Sequence, residues 1–157
     1  MTKMEKDDVR LKPISNGTVL DHLPTGTALK IIQILGLQHP SGTVAIAINT
    51  ESKSSSTGKK DLVFIEGREL TEQEYEKIGL IAKGSTVNII KNKKVEKKTV
   101  VPFPKQAVGL FECLNPKCIS NIEGLQTKFS LQGNPLKAKC FYCEKTMNEQ
   151  DVFKAIK

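Results

Sequence analysis

All four cysteines of this 157-residue chain lie in its last third, as two close pairs. Cys113 and Cys118 bracket the stretch CLNPKC, and Cys140 and Cys143 bracket CFYC. Two thiolates on a tight turn grip one metal ion, and a second such turn completes a tetrahedral set of four soft ligands. Asn115 and Pro116 are turn formers at the centre of the first pair. The stretch after Pro102 and Pro104 is short for a domain held by its core alone, so a staple is expected there. Zinc is the reading that the spacing favours, as a closed structural site of Cys113, Cys118, Cys140 and Cys143. Three chemistries compete: two disulfides, a redox C-x-x-C, and iron in a tetrahedral thiolate site. The aromatic residues of CFYC are expected to pack beside the metal.

The start of the chain is charged and lacks the apolar core of a secretory signal, and no run approaches the length of a membrane span. The cytoplasm is therefore the expected compartment, with thiols kept reduced and no membrane partner. The formal net charge is +7 and is spread over both parts of the chain. Its one dense cluster is KNKKVEKK, with Lys91, Lys93, Lys94, Lys97 and Lys98. Such a run faces phosphate, nucleic acid or water, and lysines also guard sheet edges.

Before the prolines, the periodicity alternates between strand and helix. A short strand is expected over residues 9–14, a turn at Asn16–Gly17 and a strand through TVLDHL. Ala28, Ile31, Ile32 and Leu35 share one helical face, with Gly36 suited to the cap. In GTVAIAIN both faces are apolar, which predicts a buried central strand. A serine-rich hydrophilic loop leads to the strand DLVFIE. Thr71 and Glu74 form a capping box, with Leu70 and Tyr75 placed as a staple. Two more strands follow, turning at Asn92–Lys93. The order β, α, β, β, α, β with an extra strand is the ferredoxin-like pattern, a mostly antiparallel sheet with two helices on one face.

No catalytic constellation stands out. There is no phosphate-binding G-x-x-x-x-G-K-[ST], no G-x-S-x-G and no H-E-x-x-H. Asp21 and His22 are neighbours on a strand, so their side chains are expected on opposite faces. Binding is favoured over catalysis. One option is a small anionic ligand, with Lys60, the lysine cluster and His22 facing phosphates and Asp21 accepting from sugar hydroxyls. The alternative is a zinc-knuckle nucleic-acid-binding protein, which the scarcity of aromatic residues disfavours.

Four segments come in a familiar order: GTVLDHLPTGTALKIIQILGL, GKKDLVFIEGREL, STVNIIKNKKV and CLNPKCISN…KCFYCEK. Together they resemble the regulatory chain of aspartate carbamoyltransferase over residues 9–152. The resemblance implies an α+β chain. A ferredoxin-like, nucleotide-binding allosteric domain spans residues 1–101, and a small β-rich zinc-binding domain spans residues 102–157. It implies docking of the zinc domain on a separate catalytic chain, regulatory homodimers, and an assembly of two catalytic trimers with three regulatory dimers. It implies no catalytic residue and no nucleic-acid partner. The effectors it implies are CTP, ATP and UTP, acting in pyrimidine biosynthesis by favouring one of two states of the enzyme.

Position by position, Asp21 matches the ribose-contacting acid, with Val19 and His22 beside it in the site. Ile14 matches the apolar contact to the base, and Lys60 the lysine of the G-x-K-D turn. Asn88 and Ile90 match the T-V-N-x-I strand, Val95 a wall of the site and Lys98 its phosphate-binding lysine. Phe64 departs from the pattern, standing where well-studied bacterial members carry a second nucleotide-contacting lysine. Pro13 lacks an N–H, which alters main-chain contacts near the base.

Overall fold

The computed structural model describes residues 14–156. The strand expected over residues 9–14 and the Pro13 contact lie outside the described residues, Ile14 excepted. Among the described residues, β1 (Gly17–Leu23), β2 (Val44–Glu51), β3 (Lys59–Glu66), β4 (Thr86–Lys91) and β5 (Lys94–Val100) form one antiparallel sheet in the order β2-β3-β1-β4-β5. Helices α1 (Ala28–Ile34) and α2 (Glu72–Ile81) connect β1 to β2 and β3 to β4 and touch each other. Leaving β5 aside, this is the split βαβ arrangement of a ferredoxin-like sheet.

Alternation decides the two faces. Leu20, Val63, Ile65 and Val87 are buried with Ile31 and Ile78 of the helices. Residues between them in sequence, among them Val19, Phe64 and Asn88, are half-buried on the other face. Helix α2 begins at the capping box formed by Thr71 and Glu74, and Leu70 and Tyr75 lie half-buried against the core. Beyond α1, Gly36 takes φ 65, the left-handed conformation that a glycine enters without a Cβ penalty. Asn92 (φ 52) and Lys93 (φ 65) turn β4 into β5 with two left-handed residues, the geometry that matches strand twist in a two-residue hairpin.

The expectation for GTVAIAIN is corrected. Strand β2 lies at the sheet edge, not at its centre, and Ile46 and Ile48 are 37% and 45% exposed. Apolar patterning on both faces does not distinguish a central strand from an edge strand, because strand order is set by which strands pair.

After Val101 the chain builds a second sheet: β6 (Gln106–Val108), β7 (Lys128–Gln132), β8 (Lys137–Cys140) and β9 (Thr146–Asn148), antiparallel and in sequence order. The short α3 (Ile119–Ile122) follows the first cysteine pair, and α4 (Glu149–Ala155) starts at a capping box of Asn148 and Asp151. Phe129 and Val152 are fully buried, and Phe111 stacks on Phe129 with ring centroids 4.5 Å apart. The connecting segment lies against α2. A Cβ added at Gly79 would come within 2.4 Å of the Pro102 carbonyl oxygen, so the close approach requires glycine. Lys83 sits over the Phe103 ring at 5.8 Å.

Candidate functional site

The four cysteine sulfurs lie within 4.8 Å of one another, and all four are free thiols. Cys113 is 3.7 Å from Cys143, and Cys118 is 3.7 Å from Cys140. A tetrahedral thiolate site with metal–sulfur bonds of about 2.3 Å has sulfur–sulfur edges of about 3.8 Å. The cluster therefore fits a single four-coordinate metal, and its sulfurs are too far apart for disulfides, which need about 2.05 Å.

Local hydrogen bonds shape each pair. Asn115 Oδ1 accepts from the Lys117 N–H, and the Cys118 N–H donates to the Asn115 carbonyl. Asn121 Nδ2 donates to the carbonyls of Cys113 (2.8 Å) and Asn115 (2.7 Å), tying α3 to the turn it follows. Ser120 is buried, with Oγ 3.0 Å from the Cys118 sulfur. In the second pair the Cys140 N–H donates to the Lys145 carbonyl, and the Glu144 N–H donates back to Cys140. Burial pushes the Cys113 thiol up to about 12. Burial also works to raise Cys143, yet hydrogen bonds, first from the Lys145 backbone, bring it down to about 7. A bound dication favours the thiolate at every one of these positions.

The aromatic residues of CFYC lie largely at the surface. Phe141 is 66% exposed, meets Tyr142 edge-on and lies under Lys128. The Tyr142 hydroxyl donates to the Gln126 carbonyl. Only the cysteines turn inward from this short loop, which leaves its two rings at the surface. Leu114, Ile119 and Ile122 are also exposed around the first pair, so an apolar rim surrounds the metal-binding turns.

In the first sheet, the strand register groups most of the residues that the resemblance implies. Phe64, Val19, Asn88 and Lys98 form one cross-strand row on the face away from the helices. Ile90 and Val95 pair in the next row toward the Asn92–Lys93 turn. Ser15 accepts there from the Lys93 N–H and Asn16 from the Asn92 N–H, which brings the chain just after Ile14 to that end of the face. Asp21 lies one row the other way, opposite Thr86. Lys60 Nζ sits 2.8 Å from Asp21 Oδ1.

His22 also corrects the sequence reading. It takes φ 58 in a register shift between Leu20 and Leu23. This bulge puts one extra residue into β1 and re-aims its side chain. Instead of pointing to opposite faces, Asp21 and His22 come together: Oδ1 accepts from the His22 N–H at 2.6 Å, and Nδ1 lies 3.7 Å from Oδ2. The His22 ring also reaches Thr86 Oγ1 at 3.4 Å. His22 and Lys60 then line a cleft of about 600 Å3, walled opposite by Ser52, Ser54 and Thr57 of the hydrophilic loop. That volume suits a small ligand. Val19, Asn88, Ile90, Val95 and Lys98 lie outside the cleft on the sheet face, with Val95 and Lys98 exposed.

Sequence reading missed the serine loop as a wall, and it missed Asp61. This carboxylate is fully buried and accepts three backbone N–H bonds, from Gly26 (2.9 Å), Ala28 (3.1 Å) and Asn49 (2.9 Å). It replaces a side-chain cap at the start of α1, where Thr27 makes none, and fixes a second bulge at Asn49, φ 62. Both bulges flank the Lys60 end of β3, beside the cleft.

Family comparisons cover both parts of the chain. The family described as aspartate carbamoyltransferase regulatory chain, allosteric domain, matches residues 9–102. The corresponding metal binding domain matches residues 105–153. The chain belongs to the aspartate carbamoyltransferase regulatory-chain family. A regulatory chain of Pyrococcus horikoshii is 46% identical over 148 residues, covering 92% of this chain and 96% of its own length. One of Methanococcus aeolicus is 43% identical over 150 residues, covering 95% of each. One of Korarchaeum cryptofilum is 41% identical over 155 residues, covering 96% and 98%. As a member, this chain is a non-catalytic regulatory subunit whose partners are the catalytic chains of that enzyme. A nucleic-acid-binding role is not favoured. Among the described residues, no helix is long and apolar enough to cross a membrane.

Proposed function

We propose that the chain binds CTP, ATP and UTP on its five-stranded sheet and carries that signal to aspartate carbamoyltransferase catalytic chains through a zinc-stapled second domain. The observation that carries this reading is the grouping of Asp21 with Lys60 and His22, the latter two lining one cleft, one row along the sheet from Val19, Asn88 and Lys98. An acid for sugar hydroxyls and cations for phosphates then stand side by side. Ile14, Ile90 and Val95 supply an apolar end for the base. One zinc ion per chain is held by Cys113, Cys118, Cys140 and Cys143, which matches zinc's preference for closed four-thiolate sites. The division falls between residues 101 and 102, and the protein works in the cytoplasm, where the thiols stay reduced.

The exposed apolar rim of Leu114, Ile119 and Ile122 is the docking face for a catalytic chain. The open edge of β2, with Ile46 and Ile48, supports a regulatory homodimer, three of which join two catalytic trimers. Effector control then requires that nucleotide bind one state of the enzyme more tightly than the other. A coupling of about 1–3 kcal/mol is the usual scale. The test is reconstitution with a catalytic trimer, followed by aspartate saturation curves with and without CTP, UTP and ATP. Failure of the chains to assemble, or curves indifferent to every nucleotide, would refute the proposal.

A further inference from the structure

Phe64 makes no ring–ring or cation–ring contact among the described residues. Its neighbours in sequence, Val63 and Ile65, supply the buried face of β3, and Phe64 is half-buried on the other. Its cross-strand partners are Ala45 and Val19, one of them small and both without a π face. Among the described residues the ring pairs and cation–ring contacts are Phe111–Phe129, Phe141–Tyr142, Lys83–Phe103 and Lys128–Phe141, so Phe64 belongs to none. An aromatic side chain thus stands in the row that runs through Val19 and Asn88 to Lys98, with a face unclaimed by another ring.

Its position relative to the polar groups is specific. Asp21 lies one row away along β1, about 7 Å, the advance of two strand residues. Lys60 and His22 lie beyond Asp21 at the cleft. The apolar ring, the acid and the cations Lys60 and His22 therefore succeed one another in the order of a nucleotide's base, ribose and phosphates, while Lys98 stands across the sheet in the ring's own row. A phenyl ring has no hydrogen-bonding atom, so it takes a base by its face and ignores the edge that distinguishes one base from another.

We propose that Phe64 is the stacking platform for the nucleobase, giving this site an affinity term shared by purine and pyrimidine nucleotides. This inference rests on the nucleotide-binding reading above and adds the mode of base recognition. The platform supplies affinity through π-surface, so a purine, with its larger ring system, gains more from it than a pyrimidine. Base identity is then discriminated by polar neighbours such as Asn88, not by Phe64.

The experiment is calorimetric titration of the full chain with ATP, CTP and inorganic tripolyphosphate. A wild-type chain that takes up neither nucleotide defeats the nucleotide-binding reading, and the platform falls with it. Where wild type binds both, Phe64→Ala is expected to weaken ATP and CTP by about tenfold, ATP the more, and to leave tripolyphosphate within about twofold. Phe64→Leu keeps apolar bulk on the sheet but removes the ring face, and is expected to behave more like the alanine variant than like wild type. A leucine variant that binds both nucleotides as wild type does would overturn the proposal, because apolar bulk would then suffice. A parallel loss of tripolyphosphate would overturn it too, because the substitution would then be acting through a displaced sheet.

Discussion

Replacing Asp61 with alanine tests whether a single buried carboxylate holds the shape of the first domain. The side chain takes three N–H groups from two elements outside its own strand. Their fates differ on its removal. Ala28 is buried, so its N–H loses its partner out of reach of water, at about 1–3 kcal/mol. Gly26 and Asn49 are exposed, so water replaces the carboxylate at about 0.5–1.5 kcal/mol each. The sum is about 2–6 kcal/mol, and about 4 kcal/mol corresponds to a fall in melting temperature of about 8–16 °C for a protein of this size. Asp61→Asn retains one acceptor oxygen and is expected to lie between alanine and wild type. Thermal unfolding measures the loss, and amide hydrogen exchange locates it. Protection should drop first at Ala28 and Asn49 and stay unchanged in β7 and β8. A fall below about 3 °C, or unchanged protection at those two amides, would refute the role assigned to Asp61.

Metal removal by a strong chelator is expected to unfold the second sheet and release the catalytic chain while the five-stranded sheet persists; an assembled holoenzyme shown to be metal-free would contradict this. Zinc affinity should fall as pH falls, because burial holds the Cys113 thiol at about 12 without metal and each thiolate must shed a proton to bind, which competition titration at several pH values measures. Lys98→Ala should weaken nucleoside triphosphates more than nucleosides in calorimetry, and equal losses would remove Lys98 from phosphate binding. Gly79→Ala should destabilise the chain by about 1–3 kcal/mol by forcing Pro102 away from α2, read as a lower urea midpoint.

What was legible in the sequence was local. Thr71 and Glu74 stand three residues apart, so the capping box is visible before any folding. The cysteine spacing likewise names its own geometry. The bulges at His22 and Asn49 left no such trace, because one extra residue in a strand looks like ordinary alternation until the partner strand is known. That is why Asp21 and His22 were expected to point apart. Asp61 stayed hidden for a related reason: its partners lie 12 to 35 residues away. Strand β2 read as central because both its faces are apolar, a pattern that an edge strand can share, and its free edge is set by topology. Helix α4 went unread because its capping box uses Asp151 where Glu or Gln is usual.

The two borders of the first sheet are unlike in chemistry. One carries Ile46 and Ile48; the other, β5, carries Lys94, Lys97 and Lys98, all exposed. Were two copies to join β2 to β2 about a twofold axis, each would consume the other's apolar border. Both outer borders of the doubled sheet would then be lysine-lined, and like charges there would repel a third copy. Growth would then stop after a single step, and a strand border that in another protein would seed a fibre would here set an upper limit of two.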